Sequence, residues 1–168
     1  MSNGILAVLA SPALLVSPQA RAEGPATGAD SECSGDVSGA VVANFNCTVK
    51  VAKAAGGTMT FTVTPNAPVK GLKSFAPATF SIKLPITVQT YTHRDLAKAE
   101  AQAVTAAGKK YHASGKVADR GDIEVEVVST EHNRGITIGM LRVHAHLVPA
   151  NAKDGSEIQL NMNVLTNW

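Results

Sequence analysis

Two segments, ITIGMLRVHAHLV at residues 136–148 and IQLNMNV at residues 158–164, decide the fold class. In the first, Leu141, Val143, Ala145 and Leu147 alternate with Met140, Arg142, His144 and His146. In the second, Ile158, Leu160, Met162 and Val164 alternate with Glu157, Gln159, Asn161 and Asn163. Side chains alternate across a strand with period two, so each segment has one apolar and one mostly polar face. Asn151–Gly155 lies between them and contains Asp-Gly, a turn signal. The pattern predicts a C-terminal antiparallel hairpin whose apolar faces enter one core.

The same period recurs upstream. Phe45, Cys47, Val49 and Val51 share one face, as do Met59, Phe61 and Val63, with threonines opposite. Phe80, Ile82, Leu84, Ile86 and Val88 form a further core face, with Pro85 on the opposite side. Proline cannot donate to a ladder, so that strand is an edge or breaks at Pro85. Pro65–Pro77 holds three prolines and reads as a long loop. Leu96–Ala107 is rich in helix formers, yet Lys98, Glu100 and Gln102 alternate with Ala99, Ala101 and Ala103. A short helix competes there with a strand hairpin turning at Ala107-Gly108; the strand reading is taken, with a single turn near Thr92–Leu96. Ile123, Val125 and Val127 continue the pattern after Gly121. Close, regular turn signals between such strands predict an all-β fold: an antiparallel β-sandwich of about nine strands, immunoglobulin-like or jelly-roll-like.

The chain has 168 residues, 45% hydrophobic and only 4% aromatic. That is enough for one domain with a core of Val, Ile, Leu and Ala. Ile5–Val16 is an apolar run too short to span a bilayer, which takes roughly 20 residues, and Ala20-Arg21-Ala22 follows it. Residues 1–22 read as a signal peptide cut after Ala22, residues 23–32 as a disordered mature N-terminus, and residues 33–168 as a single β-sandwich domain. The expected location is secreted or periplasmic, with no transmembrane segment in the mature chain. Formal net charge is +2, which gives no electrostatic case for nucleic acid; the partners are unknown. The two cysteines, Cys33 and Cys47, are expected to pair in an exported chain. A hairpin turning near Gly39-Ala40 places them opposite each other.

The layout resembles small exported bacterial β-sandwich proteins of unknown function. The features that carry the resemblance are the Cys33 to Cys47 hairpin, the segment Tyr91-Thr92-His93-Arg94-Asp95-Leu96 and the late strand with Val143-His144. The resemblance implies a fold and a compartment and carries no activity.

His144 and His146 are the one pair with metal-ligand spacing, because residues i and i+2 on a strand project from the same face. The pair looks like the His-x-His of cupins, but the residues where a cupin supplies its Glu are Ala150, Asn151 and Ala152, and Arg142 flanks the pair. A third ligand would come from His93, His112, His132 or an acidic residue. Arg120-Gly121-Asp122 matches an integrin-binding tripeptide, and Asn46-Cys47-Thr48 a glycosylation acceptor. Gly121 is explained as a turn, and Asn46 falls in an expected strand. There is no Gly-x-Ser-x-Gly elbow, Cys-x-x-Cys, His-Glu-x-x-His or phosphate loop. Two function classes follow. The first is a non-catalytic secreted or envelope module with a binding or structural role, without a cofactor. The second is a metal-dependent enzyme or metal-binding protein holding a divalent transition metal on His144 and His146.

Overall fold

A computed structural model describes residues 31–114 and 121–168. The expected signal peptide at residues 1–22, Arg120 and residues 23–30 lie outside the described residues. Ten strands follow in order: β1 (Glu32–Gly39), β2 (Ala43–Ala54), β3 (Thr58–Pro65), β4 (Leu72–Lys83), β5 (Thr90–Tyr91), β6 (Leu96–Thr105), β7 (Lys110–Ser114), β8 (Asp122–Asn133), β9 (Ile136–Pro149) and β10 (Ile158–Asn167). β1 starts at Glu32, inside the segment expected to be disordered.

The expected sandwich is corrected. Strands β1, β2, β3, β4, β6, β7, β9 and β10 pair in a closed antiparallel ring, an eight-strand barrel, and β8 and β5 extend from the edge of β9. Two strands make the closure. β2 pairs with β1 over Ala43–Asn46 and with β3 over Cys47–Ala54. β9 pairs with β10 over Ile138–Leu147 and with β7 through Val148 and Pro149. Each strand passes from one side of the barrel to the other, so the two layers of a sandwich are joined at both seams. Alternation along a strand records which side chains face inward; it does not record which edges pair, so it fits both architectures.

The disulfide sits at one of these seams. Cys33 and Cys47 are bonded with Cα atoms 4.9 Å apart, next to the last β1–β2 pair, Ser34 with Asn46. The register is the one expected from a turn near residue 40. The bridge ties β1 to β2 where β2 leaves it for β3, and closing a loop of about 15 residues stabilises by roughly 3 kcal/mol in the chain-entropy model.

The barrel is filled. Phe61 and Phe80 are register partners on β3 and β4, with rings stacked at 5.0 Å. Beside the aromatics on the neighbouring strands are small residues: Ala99 pairs with Phe80, and Ala103 with Phe75 and Tyr111. Those inward alanines explain why Leu96–Thr105 reads helix-like. Large and small residues alternate to fill a small barrel, and alanine is placed there for its size although its intrinsic preference is helical. The strand reading holds. Two other readings are corrected. β4 begins at Leu72, so only residues 66–71 of the proline-rich stretch form a loop, and Pro77 lies at a register shift between Ala76 and Thr79, where a missing donor is tolerated. β4 ends at Lys83, before Pro85, and Val88 is exposed rather than in the core.

Trp168 closes one end. Its backbone exchanges hydrogen bonds with Thr137 (2.8 and 2.9 Å), and its indole meets Phe61 edge-on at 5.6 Å. The ring occupies the space above Gly139, where any Cβ would collide with it. Gly139→Val is therefore expected to destabilise by about 1–3 kcal/mol or more through overpacking. Trp168→Ala added to Gly139→Val should recover part of that loss, a coupling readable in a double-mutant cycle by urea denaturation. Strictly additive losses would refute the packing account.

Candidate functional site

The chemistry-bearing side chains lie outside the barrel. Val143, Ala145 and Leu147 of β9 are buried while Arg142 and His144 are exposed and His146 half-buried, as the alternation requires. From Leu141 to Leu147 the apolar residues point inward and the polar ones outward, whereas Ile136, Ile138 and Met140 are apolar and exposed. Among the described residues no helix is long and apolar enough to cross a membrane.

Strand registers place the outward residues in rows. Glu124, His144, Asn161 and Asp36 stand side by side on β8, β9, β10 and β1. Asp122, His146 and Gln159 form the next row, and Glu126, Arg142 and Asn163 the row on the other side. Asp122, Glu124, His144, Ala145, His146, Gln159 and Asn161 line a shallow open groove of about 190 Å³, smaller than the roughly 300–1,000 Å³ of enclosed small-molecule sites.

Hydrogen bonds orient both imidazoles. Asn161 Nδ2 donates to Asp36 Oδ2 (2.9 Å), which leaves Asn161 Oδ1 facing His144 Nδ1 at 2.8 Å. An amide oxygen only accepts, so His144 carries its proton on Nδ1 and Nε2 is left without one in the neutral ring. His146 Nε2 lies 2.6 Å from Glu157 Oε2 and donates to it, and its Nδ1 is 3.9 Å from Asp122 Oδ1. Arg142 Nη1 donates to Glu126 Oε2 at 3.2 Å. This exposed pair is worth about 0–1 kcal/mol and directs the guanidinium toward β8.

His93, His112 and His132 are placed elsewhere. His93 is in the turn after β5, His112 is on β7, and His132 is at the β8–β9 hairpin, 3.0 Å from Thr137 Oγ1. None lines the groove. Among the described residues no three His, Cys, Asp or Glu side chains stand as a ready-made metal cage. Asn161 meets His144, Glu157 and Asp122 meet His146, and Asp36 holds Asn161; none of them was singled out by sequence as a partner of the histidines. Asn161 had a signal: its outward parity in the hairpin, with a turn centred near Lys153, leaves only Asn161 or Asn163 opposite His144. Asp36 had none, because the β1–β10 pairing joins the two ends of the described chain.

The remaining motifs have structural explanations. Gly121 has φ +86°, and a Cβ there would come within 2.5 Å of the His146 carbonyl oxygen and 2.8 Å of that of His112. Only glycine fits where β7 gives way to β8 along the edge of β9. Asn46 and Thr48 are exposed on β2, and Cys47 between them is buried in the disulfide. In the Tyr91–Leu96 segment, the Thr92 backbone N–H and hydroxyl both donate to Asp95 Oδ2 at 3.0 Å. These bonds hold the Asp95 carboxyl below its ordinary range. Their contribution is present above the unfolded-state pKa of about 3.9 and is lost as pH falls through the lowered folded value. No protein-family model matches the chain, and no curated protein or solved structure matches it.

Opposite faces of β9 should respond differently to charge. Val143→Asp, which places a carboxylate in the apolar core, should cost several kcal/mol, a severe loss against a total stability of about 5–15 kcal/mol. His144→Asp, which loses the bond to Asn161 and sets a carboxylate opposite Glu124, should cost far less, about 1 kcal/mol. Thermal melts in chelator compare them; equal damage would contradict the face assignment.

Proposed function

We propose that this chain is a non-catalytic, exported binding or structural module that works through the outer face of β9 and its neighbours. The observation that carries this is an apolar strip on that face. Ile136, Ile138 and Met140 are 49%, 41% and 42% exposed, and Leu165 is the register partner of Met140. Beyond Arg142 the strip passes into the polar rows. Exposed apolar side chains rimmed by polar ones are the ordinary composition of an interaction surface, whereas the interior is occupied by its own side chains. Export is supported by the Cys33–Cys47 bridge, which suits an oxidising compartment, and by the leader-like residues 1–22.

Labelled full-length protein, applied to an array of polysaccharides, peptidoglycan fragments and peptides, should be retained on one class of probe. Ile138→Ser with Met140→Ser should abolish retention while leaving the melting temperature within a few degrees. Retention by neither protein, or equal retention by both, would overturn the reading. For export, N-terminal sequencing of material from outside the cytoplasm should begin at or near Glu23; an intact Met1 would refute it.

A further inference from the structure

We propose that the outer face of β8 and β9 binds a divalent transition-metal ion through the imidazoles of His144 and His146, with Asp122 drawn in as a carboxylate ligand and water completing the shell. The two rings are two residues apart on one face of a strand, about 7 Å between Cα atoms, a spacing that lets both reach one ion. Each ring has its other nitrogen engaged. His144 Nδ1–H is held by Asn161, itself held by Asp36, and His146 Nε2–H is held by Glu157. Metal-ligating histidines have this arrangement, in which a carboxylate or carbonyl fixes the tautomer and leaves the opposite nitrogen with its lone pair. Here the nitrogens left are His144 Nε2 and His146 Nδ1.

Asp122 Oδ1 stands 3.9 Å from His146 Nδ1. That separation is too long for a hydrogen bond but close to the spacing of two ligands on one ion, given ligand bonds of roughly 2.0–2.2 Å. The Asp122 side chain is 67% exposed and can turn at little cost, so a cage absent from the metal-free protein assembles on binding. Glu124, the register partner of His144, adds negative charge to the same groove. Arg142 is on this face, but its charge is compensated by Glu126 at 3.2 Å. Imidazole with carboxylate suits zinc, nickel or copper(II) rather than calcium or magnesium.

The test is calorimetric titration of Zn²⁺ alone into the untagged full chain after chelator treatment, with the visible spectrum of bound Co²⁺ as a second readout. One ion per chain is expected. His144→Ala and His146→Ala should each weaken binding at least tenfold, on the order of the loss from removing a metal ligand's outer-shell partner or more. Glu157→Gln, which does not touch the ion, should weaken it by about 10–100-fold, and His132→Ala should leave it unchanged. Melts in chelator verify folding, with His144→Gln and His146→Gln as substitutes where an alanine variant melts early. Absence of binding, binding that survives loss of both histidines, or binding lost in His132→Ala would overturn the proposal. The site shares the face assigned above as a working surface but stands separately: array retention without zinc binding removes only this site, and zinc binding without array retention removes only that reading.

Discussion

Along one edge of β9, Ile138–Leu147 pair with β10; along the other, Ile136–His146 pair with β8, and Val148 and Pro149 with β7. Buried backbone N–H and C=O groups must be paired, and this strand meets that requirement by serving three neighbours. The hand-over from β8 to β7 lets the ring close while β8 and β5 remain attached. Gly121 stands at the hand-over, where the two backbones approach too closely for any Cβ. β2 performs the matching transfer at the other seam, and the disulfide secures it.

Closure determines what the interior can hold. Phe61, Phe80 and the Trp168 indole pack together, and the small alanines of the neighbouring β6 and of β7 leave room for them. Each large side chain fully buried contributes about 1.5–3 kcal/mol, so the packed interior is the main source of stability. The polar rows stand on the outer face, which is assembled from strands far apart in sequence. On that face the hydrogen-bonded order of Asp36, Asn161 and His144 is a product of register: a slip of one residue in any of the three strands would turn that strand's member inward and break the row of hydrogen bonds.

Much of the fold was legible because alternation is a local property. The hairpin of β9 and β10, the inward set from Phe45 to Val164, the hairpin joining β6 to β7 and the register of Cys33 with Cys47 all follow from period two and turn position. Pro77 and Pro85 were harder. A proline marks a missing donor, and whether that means a bulge or a strand end depends on the neighbouring strand, which is paired at Gln102 and Glu100 across from Pro77 and absent beyond Lys83.

The sequence by itself determined the faces: His144 and His146 outward, Val143 and Leu147 inward, and two cysteines placed to meet. Tertiary structure alone decided that the strands form a closed barrel rather than two open sheets, because edge pairing between β7 and β9, or β1 and β10, joins segments whose side-chain patterns contain no record of each other. For the same reason only the fold placed Asp122 and Glu157 beside His146, and Asp36 beside the Asn161 that holds His144. A hydrogen-bond partner across strands is set by register and closure, and both are properties of the assembled sheet.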